Sequence, residues 1–302
     1  MTIRISRRAA LGGLVSLGLA PDAHAQPAAP LPVVATFSIL ADLVREVGGD
    51  RVAVSSLIGP DSDAHAFEPT PADAARLAQA RLVVANGLGF EGWIDRLVKA
   101  SGTRARIAVA SRNVVPRRDD DGDGDGHDLD PHAFQSVPNA KIYVANIRDA
   151  LASVDPEGAT SYGSRATAYL AALDGLDREI RDAVATIPKA RRRLITSHDA
   201  FGYFAAAYGI AFAAPRGVSG AADISARDVA RIVRQIRAEK IPAVFLENVS
   251  DPRLMERIAQ ESGARVGGRL YSDALSPPDG PAPTYMAMMR SNLRTLVAAL
   301  AP

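Results

Sequence analysis

Short apolar runs alternate with amphipathic segments along this chain, and the alternation occurs in two series. Runs such as 52–58 and 81–85 are rich in Val, Ile and Leu, as buried strands are, and the segments between them have the apolar spacing of helices. The second series begins near Arg193. Strands that alternate with helices pair in parallel and are covered on both faces. The pattern therefore predicts an α/β fold with two similar lobes, each a mostly parallel sheet flanked by helices.

A long amphipathic segment separates the two series. Its apolar residues recur at spacings of three and four and so form one continuous stripe. They are Ala166, Tyr169, Leu170, Leu173, Leu176, Ile180, Val184 and Ile187. Asp155 and Pro156 occupy positions typical of an N-cap carboxylate and a first-turn proline. We expect one linker helix over 155–187, which joins an N-terminal lobe over 31–154 to a C-terminal lobe over 190–302.

The first 25 residues have the composition of an export signal. Arginines precede an apolar run, 9–20, that is too short to span a bilayer, and an Ala-His-Ala sequence predicts cleavage between Ala25 and Gln26. The Ser-Arg-Arg at 6–8 also suggests a twin-arginine signal, although the usual Phe-Leu does not follow it. We expect a cleavable signal and a periplasmic product, with the export route left open.

Charge and cysteine content narrow the classes of partner. The formal net charge is +1, and no basic cluster lies outside the N-terminal segment, which argues against nucleic acid as a partner. The chain has no cysteine, so disulfides, thiolate metal ligands and a lipid anchor on cysteine are not expected. We expect a monomer that is free in the periplasm.

Aspartate and glycine are concentrated in an acidic loop, 119–130. The segment does not fit an EF-hand calcium loop, because His132 occupies the twelfth position, where a bidentate glutamate is required. Nearby prolines also leave little room for flanking helices. A solvated loop is the simplest interpretation. Alternatively, His127 and its aspartates collect metal weakly and pass it on.

Four side chains stand where ligands of a metal site are expected. They are His65, His132, His198 and Asp273. Three of them follow predicted strands, and ligands of parallel sheets bind beyond the carboxyl ends of the strands. Three imidazoles and one carboxylate suit a four-coordinate borderline cation, with zinc the best match, whereas magnesium or calcium would need more oxygens. Each residue could instead be an ordinary loop or capping residue.

The sequences around these residues resemble those of the zinc and manganese solute-binding proteins of ABC importers, which form the metal-binding cluster of periplasmic binding proteins. The matching motifs are HAFEPTP at 65–71, NGLGFE at 86–91, DPH at 130–132 and SHDAF at 197–201. The match runs from about Val33 to the C-terminus. The resemblance implies two lobes bridged by one long helix, and metal ligands at His65, His132, His198 and Asp273. Members with glutamate at the third ligand position resemble manganese carriers, and histidine there is more typical of zinc.

The resemblance implies a receptor, not an enzyme, that captures Zn²⁺ in the periplasm and delivers it to the membrane permease of an ABC importer. Glu68, Asn86 and Glu247 are candidates to orient the ligands from outside. Three alternatives stay open: a manganese carrier of the same family, a metal-sequestering protein with no transporter, and a zinc-dependent hydrolase. A hydrolase would leave a coordination position for water, and the sequence has no His-Glu-x-x-His motif.

Overall fold

The computed structural model describes residues 29–118, 129–213 and 226–301, which contain two four-stranded parallel sheets. The predicted export signal and residues 119–128, with His127, lie outside the described residues. The strands are Leu31–Phe37 (β1), Val52–Ile58 (β2), Leu82–Ala85 (β3), Arg106–Val109 (β4), Arg193–Ile195 (β5), Ala211–Ala213 (β6), Ala243–Glu247 (β7) and Arg265–Leu270 (β8). The sheet orders are β2-β1-β3-β4 and β6-β5-β7-β8, so both lobes have the same topology.

Helices connect and cover these strands. They are Ser38–Gly48 (α1), Pro71–Gln79 (α2), Ile94–Ser101 (α3), Val137–Val154 (α4), Ala159–Ala185 (α5), Gly202–Tyr208 (α6), Ala226–Glu239 (α7), Pro252–Ser262 (α8) and Tyr285–Leu300 (α9). None of the helices within the described ranges is both long enough and apolar enough to cross a membrane. The predicted fold class, with two parallel-sheet lobes flanked by helices, is confirmed.

The strand registers bring the carboxyl ends of neighbouring strands to a common edge. In the first sheet, Val33 of β1 pairs with Val54 of β2 and with Leu82 of β3. All four residues of β3 are buried, as their apolar side chains require of a central strand. The loops that follow β2, β3, β5, β7 and β8 therefore leave their sheets at the edges where ligands of such folds bind.

The 27-residue helix α5 begins later than the sequence predicts. Asp155 does not cap it, because its carboxylate accepts hydrogen bonds from Arg51 Nε, at 3.0 Å, and from the Tyr162 hydroxyl, at 2.5 Å. Residues Pro156–Gly158 form a short 3₁₀ turn, and the α-helix starts at Ala159. Asp155, which the sequence predicts as the cap, instead forms an ion pair with Arg51 that attaches the start of α5 to the N-terminal lobe.

Helix α5 changes its packing partner near its middle. Lys141 of α4, in the N-terminal lobe, donates to Asp174. One turn later, Asp177 accepts a hydrogen bond from the Tyr208 hydroxyl of α6, in the C-terminal lobe, at 2.9 Å. Gly175 lies between these two attachments, and glycine lowers the local stability of a helix by about 1 kcal/mol relative to alanine. The sequence thus places a locally weaker point of the helix between these two attachments.

Gly175→Ala is expected to raise the free energy of unfolding by about 0.5–1 kcal/mol and to slow amide hydrogen exchange in the middle of α5. There is space for the change, because an added β-carbon would meet only the Arg178 guanidinium, at 4.0 Å. Gly163→Ala is the matched control, since it lies in the same helix and its β-carbon would meet nothing within 4 Å. Equal slowing at 174–177 in the control would contradict the assignment of a weak point to Gly175.

Candidate metal centre

The structure brings the four predicted ligand residues together, two from each lobe. His65 lies in the loop after β2, His132 follows the acidic loop, His198 follows β5 and Asp273 follows β8. Each offers one ligand atom, and these atoms all lie within 4.8 Å of one another. Residues that are far apart in the sequence therefore meet where the two lobes face each other.

The three imidazoles approach the carboxylate of Asp273 through their Nε2 atoms. Nε2 of His198 lies 3.0 Å from Oδ2 of Asp273, and Nε2 of His65 lies 3.4 Å from the same oxygen. Nε2 of His132 lies 3.6 Å from Oδ1 of Asp273 and 3.2 Å from Nε2 of His65. Zinc bonds to nitrogen and oxygen are about 2.0–2.1 Å long, so ligand atoms of a tetrahedral zinc site stand roughly 3.3–3.4 Å apart. These four separations bracket that value, and all four ligand atoms lie within 4.8 Å of one another.

Burial differs sharply among the four residues. Asp273 is fully buried and the side chain of His132 is 5% exposed, whereas the side chain of His65 is 37% exposed. His198 has an intermediate exposure of 16%. The site is therefore closed on the side of Asp273 and reaches solvent beside His65, which is the side from which an ion would enter.

Opposite charges hold the buried groups in their ionised forms. Burial alone would raise the pKa of Asp273, but the imidazoles of His132 and His198 outweigh it and hold that pKa well below its ordinary value. Burial would lower the pKa of His132, yet Asp273 and Asp130 raise it to about 10. Burial acts likewise on His198, whose pKa Glu247 and Asp273 raise well above its ordinary value. A bound cation would therefore replace protons on these imidazoles.

Two buried carboxylates orient the imidazoles of His132 and His198. Oδ1 of Asp130 lies 2.9 Å from Nδ1 of His132 and also accepts its backbone N–H, at 2.9 Å. Oε2 of Glu247 lies 2.7 Å from Nδ1 of His198, and Oε1 accepts the backbone N–H of His198, at 3.0 Å. A carboxylate at Nδ1 fixes the ring and directs Nε2 toward a metal. The sequence interpretation missed Asp130 as an orienting residue, although it lies in the DPH motif.

Asn86, another candidate to orient a ligand, acts on the backbone before His132. Its Nδ2 donates to the carbonyl of Pro131, at 2.8 Å, and its Oδ1 accepts from the Tyr143 hydroxyl, at 2.7 Å. Buried Glu91 accepts the backbone N–H of Asn86 at 2.6 Å. The NGLGFE motif thus builds a support for the DPH motif. The third candidate, Glu68, is exposed and forms no hydrogen bond to the four predicted ligands in the described part of the chain.

Comparison with known proteins identifies the family of this chain. Residues 33–299 match the family model ZnuA, described as zinc-uptake complex component A, periplasmic. The chain belongs to this family. It is a metal-binding solute-binding protein of an ABC importer, of a family that works in the periplasm or outside the cell.

The relatives of this chain are named for different metals. The manganese-binding lipoprotein MntA of Halalkalibacterium halodurans is 33% identical over 271 residues, which cover 89% of this chain and 88% of MntA. The manganese ABC transporter substrate-binding lipoprotein PsaA of Streptococcus pneumoniae is 29% identical over 275 residues, 89% of each protein. The structure of the periplasmic zinc-binding protein TroA from Treponema pallidum superposes with a TM-score of 0.84, at 29% identity, over 90% of this chain and 100% of TroA. Membership of the family therefore does not determine which metal this chain binds.

Proposed function

We propose that this protein captures Zn²⁺ in the periplasm and delivers it to the membrane permease of an ABC importer. Its ligands in this proposal are His65, His132, His198 and Asp273. The observation that carries the proposal is the convergence of three Nε2 atoms on one buried carboxylate, at separations of 3.0–3.6 Å. Zinc accepts such a set of three nitrogens and one oxygen in a closed tetrahedral site.

The ligand types favour zinc over manganese. Manganese prefers carboxylate, carbonyl and water oxygens, whereas imidazole suits zinc. His198 occupies the third ligand position. Because Glu247 contacts its Nδ1, the Nε2 nitrogen of His198 points toward the centre of the site. The names of MntA and PsaA favour manganese as the alternative cargo.

A receptor explains the site better than a hydrolase does. Four protein ligands would fill a tetrahedral sphere and leave no position for an attacking water. The two nearest orienting carboxylates, Asp130 and Glu247, are engaged with imidazole Nδ1 atoms, so neither is placed to act as a general base. We therefore propose that zinc is cargo and that the protein is not an enzyme.

We propose further that residues 1–25 direct export and that the mature chain begins at Gln26, is monomeric and carries no lipid anchor. In the same proposal, α5 is the core of a linker helix between lobes at 31–154 and 190–302. The change of packing partner along α5, from Lys141 to Tyr208, supports that division.

A competition titration tests the choice of metal. Untagged, metal-stripped protein beginning at Gln26 would be titrated with zinc, and separately with manganese, against a fluorescent chelator. We expect one zinc per chain with a Kd near nanomolar, which corresponds to about 12 kcal/mol, and manganese at least about a hundredfold weaker. Zinc binding no tighter than micromolar, or tighter binding of manganese, would overturn the proposal.

A further inference from the structure

Asn248 follows Glu247 at the carboxyl end of β7, and its side chain holds both flanks of Asp273. Oδ1 of Asn248 accepts the backbone N–H of Ser272, at 3.2 Å. Nδ2 of Asn248 donates to the carbonyl of Ala274, at 3.1 Å. One amide group therefore contacts the residues immediately before and after Asp273, so the direction of the carboxylate depends in part on that amide.

The same Nδ2 also reaches the other lobe. It donates to Oδ1 of Asp61, at 2.9 Å, in the loop that runs from β2 to His65. The backbone N–H of Asp61 donates in turn to the carbonyl of Leu275, at 3.0 Å. Asp61 adopts a left-handed conformation, with φ of 48°, to make this double contact. Such conformations are uncommon for residues other than glycine, so the surrounding contacts hold Asp61 there.

His65 depends on this attachment more than the other imidazoles do. His132 and His198 each have a buried carboxylate at Nδ1, and His65 has no such partner among the described residues. The loop of His65 is otherwise held on its own lobe by the Trp93 indole, whose Nε1 donates to the carbonyl of Ala64 at 3.3 Å. The distance between His65 and Asp273 is thus set in part by a hydrogen bond that forms only when the lobes are together.

We propose that Asn248 is a positioning residue, which aims Asp273 at the metal and, through Asp61, holds the loop of His65 closed over it. The inference rests on the proposed metal-receptor function and adds the element that controls release. Because the bond between Asn248 and Asp61 joins two lobes, it must break before the ligands can separate. Asn248 therefore slows the release of bound zinc from the protein.

Zinc dissociation from the full mature chain, measured by stopped flow with excess chelator, tests the inference. Loss of one hydrogen bond of this type changes an equilibrium by about two- to tenfold. We expect Asp61→Ala to raise the dissociation rate about fivefold and Asn248→Ala to raise it about tenfold or more. The double variant should match Asn248→Ala, because both single changes remove the same bond between the lobes. Rates within twofold of wild type in all three variants, or effects of the single changes that simply multiply, would overturn the proposal.

An exchange of the two side chains separates positioning from general stability. Asn248→Asp places a carboxylate against that of Asp61 and should accelerate zinc release further. Adding Asp61→Asn restores a hydrogen bond in which residue 61 donates and residue 248 accepts, so the rate of zinc release should fall again. It should stay above that of wild type, because the donor to the Ala274 carbonyl is still missing. No recovery in the exchanged pair would contradict a bond between the lobes.

Asp251→Ala is the control for local stability. Asp251 lies three residues beyond Asn248, caps α8 by accepting the backbone N–H of Arg253 at 3.0 Å, and contacts none of the four ligands. We expect it to lower the thermal stability of the metal-free protein without changing zinc release. Faster release in this control, equal to that of Asn248→Ala, would show a merely structural effect. Wild-type protein that binds no zinc would refute the proposed function and this inference together, whereas tight zinc binding with unchanged rates would refute the inference alone.

Discussion

Zinc binding is expected to weaken at least about a hundredfold when His132 is replaced by alanine, a loss of about 2.7 kcal/mol. The substitution removes one of four proposed ligands from an enclosed part of the site, where the side chain is 5% exposed. It also removes the imidazole partner of the buried Asp130 carboxylate, which would keep, among the described residues, only the backbone N–H of residue 132 and the Arg117 guanidinium, and it leaves a cavity. Water could fill one coordination position, but it would not restore the imidazole nitrogen that favours zinc. The competition titration with a fluorescent chelator measures the effect.

His127→Ala is the matched control for His132→Ala. It removes the other histidine of the same stretch of chain, five positions earlier, and leaves the four proposed ligands intact. We expect its zinc Kd to stay within about twofold of wild type, because the acidic loop supplies no ligand in the proposed site. An unchanged Kd in His132→Ala would contradict the ligand assignment. A large loss in His127→Ala would show that the acidic loop supplies a ligand after all.

The sequence predicts both parallel sheets and the four residues that converge in the structure. Runs such as 82–85 are apolar throughout, which is typical of a strand covered on both faces, and all four residues of this strand are buried. For His65, His198 and Asp273 the prediction rested on position, since ligands in these folds stand after the carboxyl ends of strands, whereas His132 was predicted from its motif. Asp273 shows this most clearly, because nothing in its neighbouring residues resembles a motif, yet it lies at the centre of the site.

Side-chain contacts between segments far apart in the sequence could not be predicted in the same way. Asp155 has the sequence of a helix cap, but the Arg51 guanidinium, 104 positions away, takes its carboxylate. Asn248 and Asp61 are 187 positions apart, and neither lies in a recognisable pattern. Their pairing depends on how two lobes dock, and periodicity and motif spacing report only on local structure and on single sheets.

The docking of the lobes also buries the carboxylate of Asp42, and the free energy of unfolding therefore depends on pH. Asp42 of α1 is buried, and its Oδ2 accepts the backbone N–H of Tyr285, the first residue of α9, at 2.7 Å. Burial raises the pKa of Asp42 from 3.8 to about 6, although the hydrogen bond from Tyr285 lowers it in part. Glu46 raises this pKa further and Arg45 lowers it. The carboxylate thus accepts the N–H of the first residue of α9, next to the N-cap Thr284, while its charge is poorly solvated.

Asp42→Asn is expected to raise the free energy of unfolding at pH 7–8 by up to about 3 kcal/mol, the equivalent of the difference between 3.8 and about 6 in pKa. The folded-state pKa lies above the unfolded value, so the stability that protonated Asp42 provides is complete below pH 3.8 and is lost as pH rises through about 6. Asparagine does not ionise, and its Oδ1 can still accept the N–H of Tyr285.

Urea unfolding of the two proteins at intervals from pH 4 to pH 8 measures this difference, which should be near zero at pH 4 and reach its maximum above pH 7. Asp50→Asn is the control, because Asp50 lies just beyond α1 at an exposed position where no buried charge is removed. Its stability should follow that of wild type at every pH. An Asp42→Asn protein less stable than wild type at pH 8 would show that the Asp42 charge at the start of α9 stabilises the docked lobes by more than its burial costs. In that case the junction between α1 and α9 would weaken as pH falls, opposite to the direction expected here.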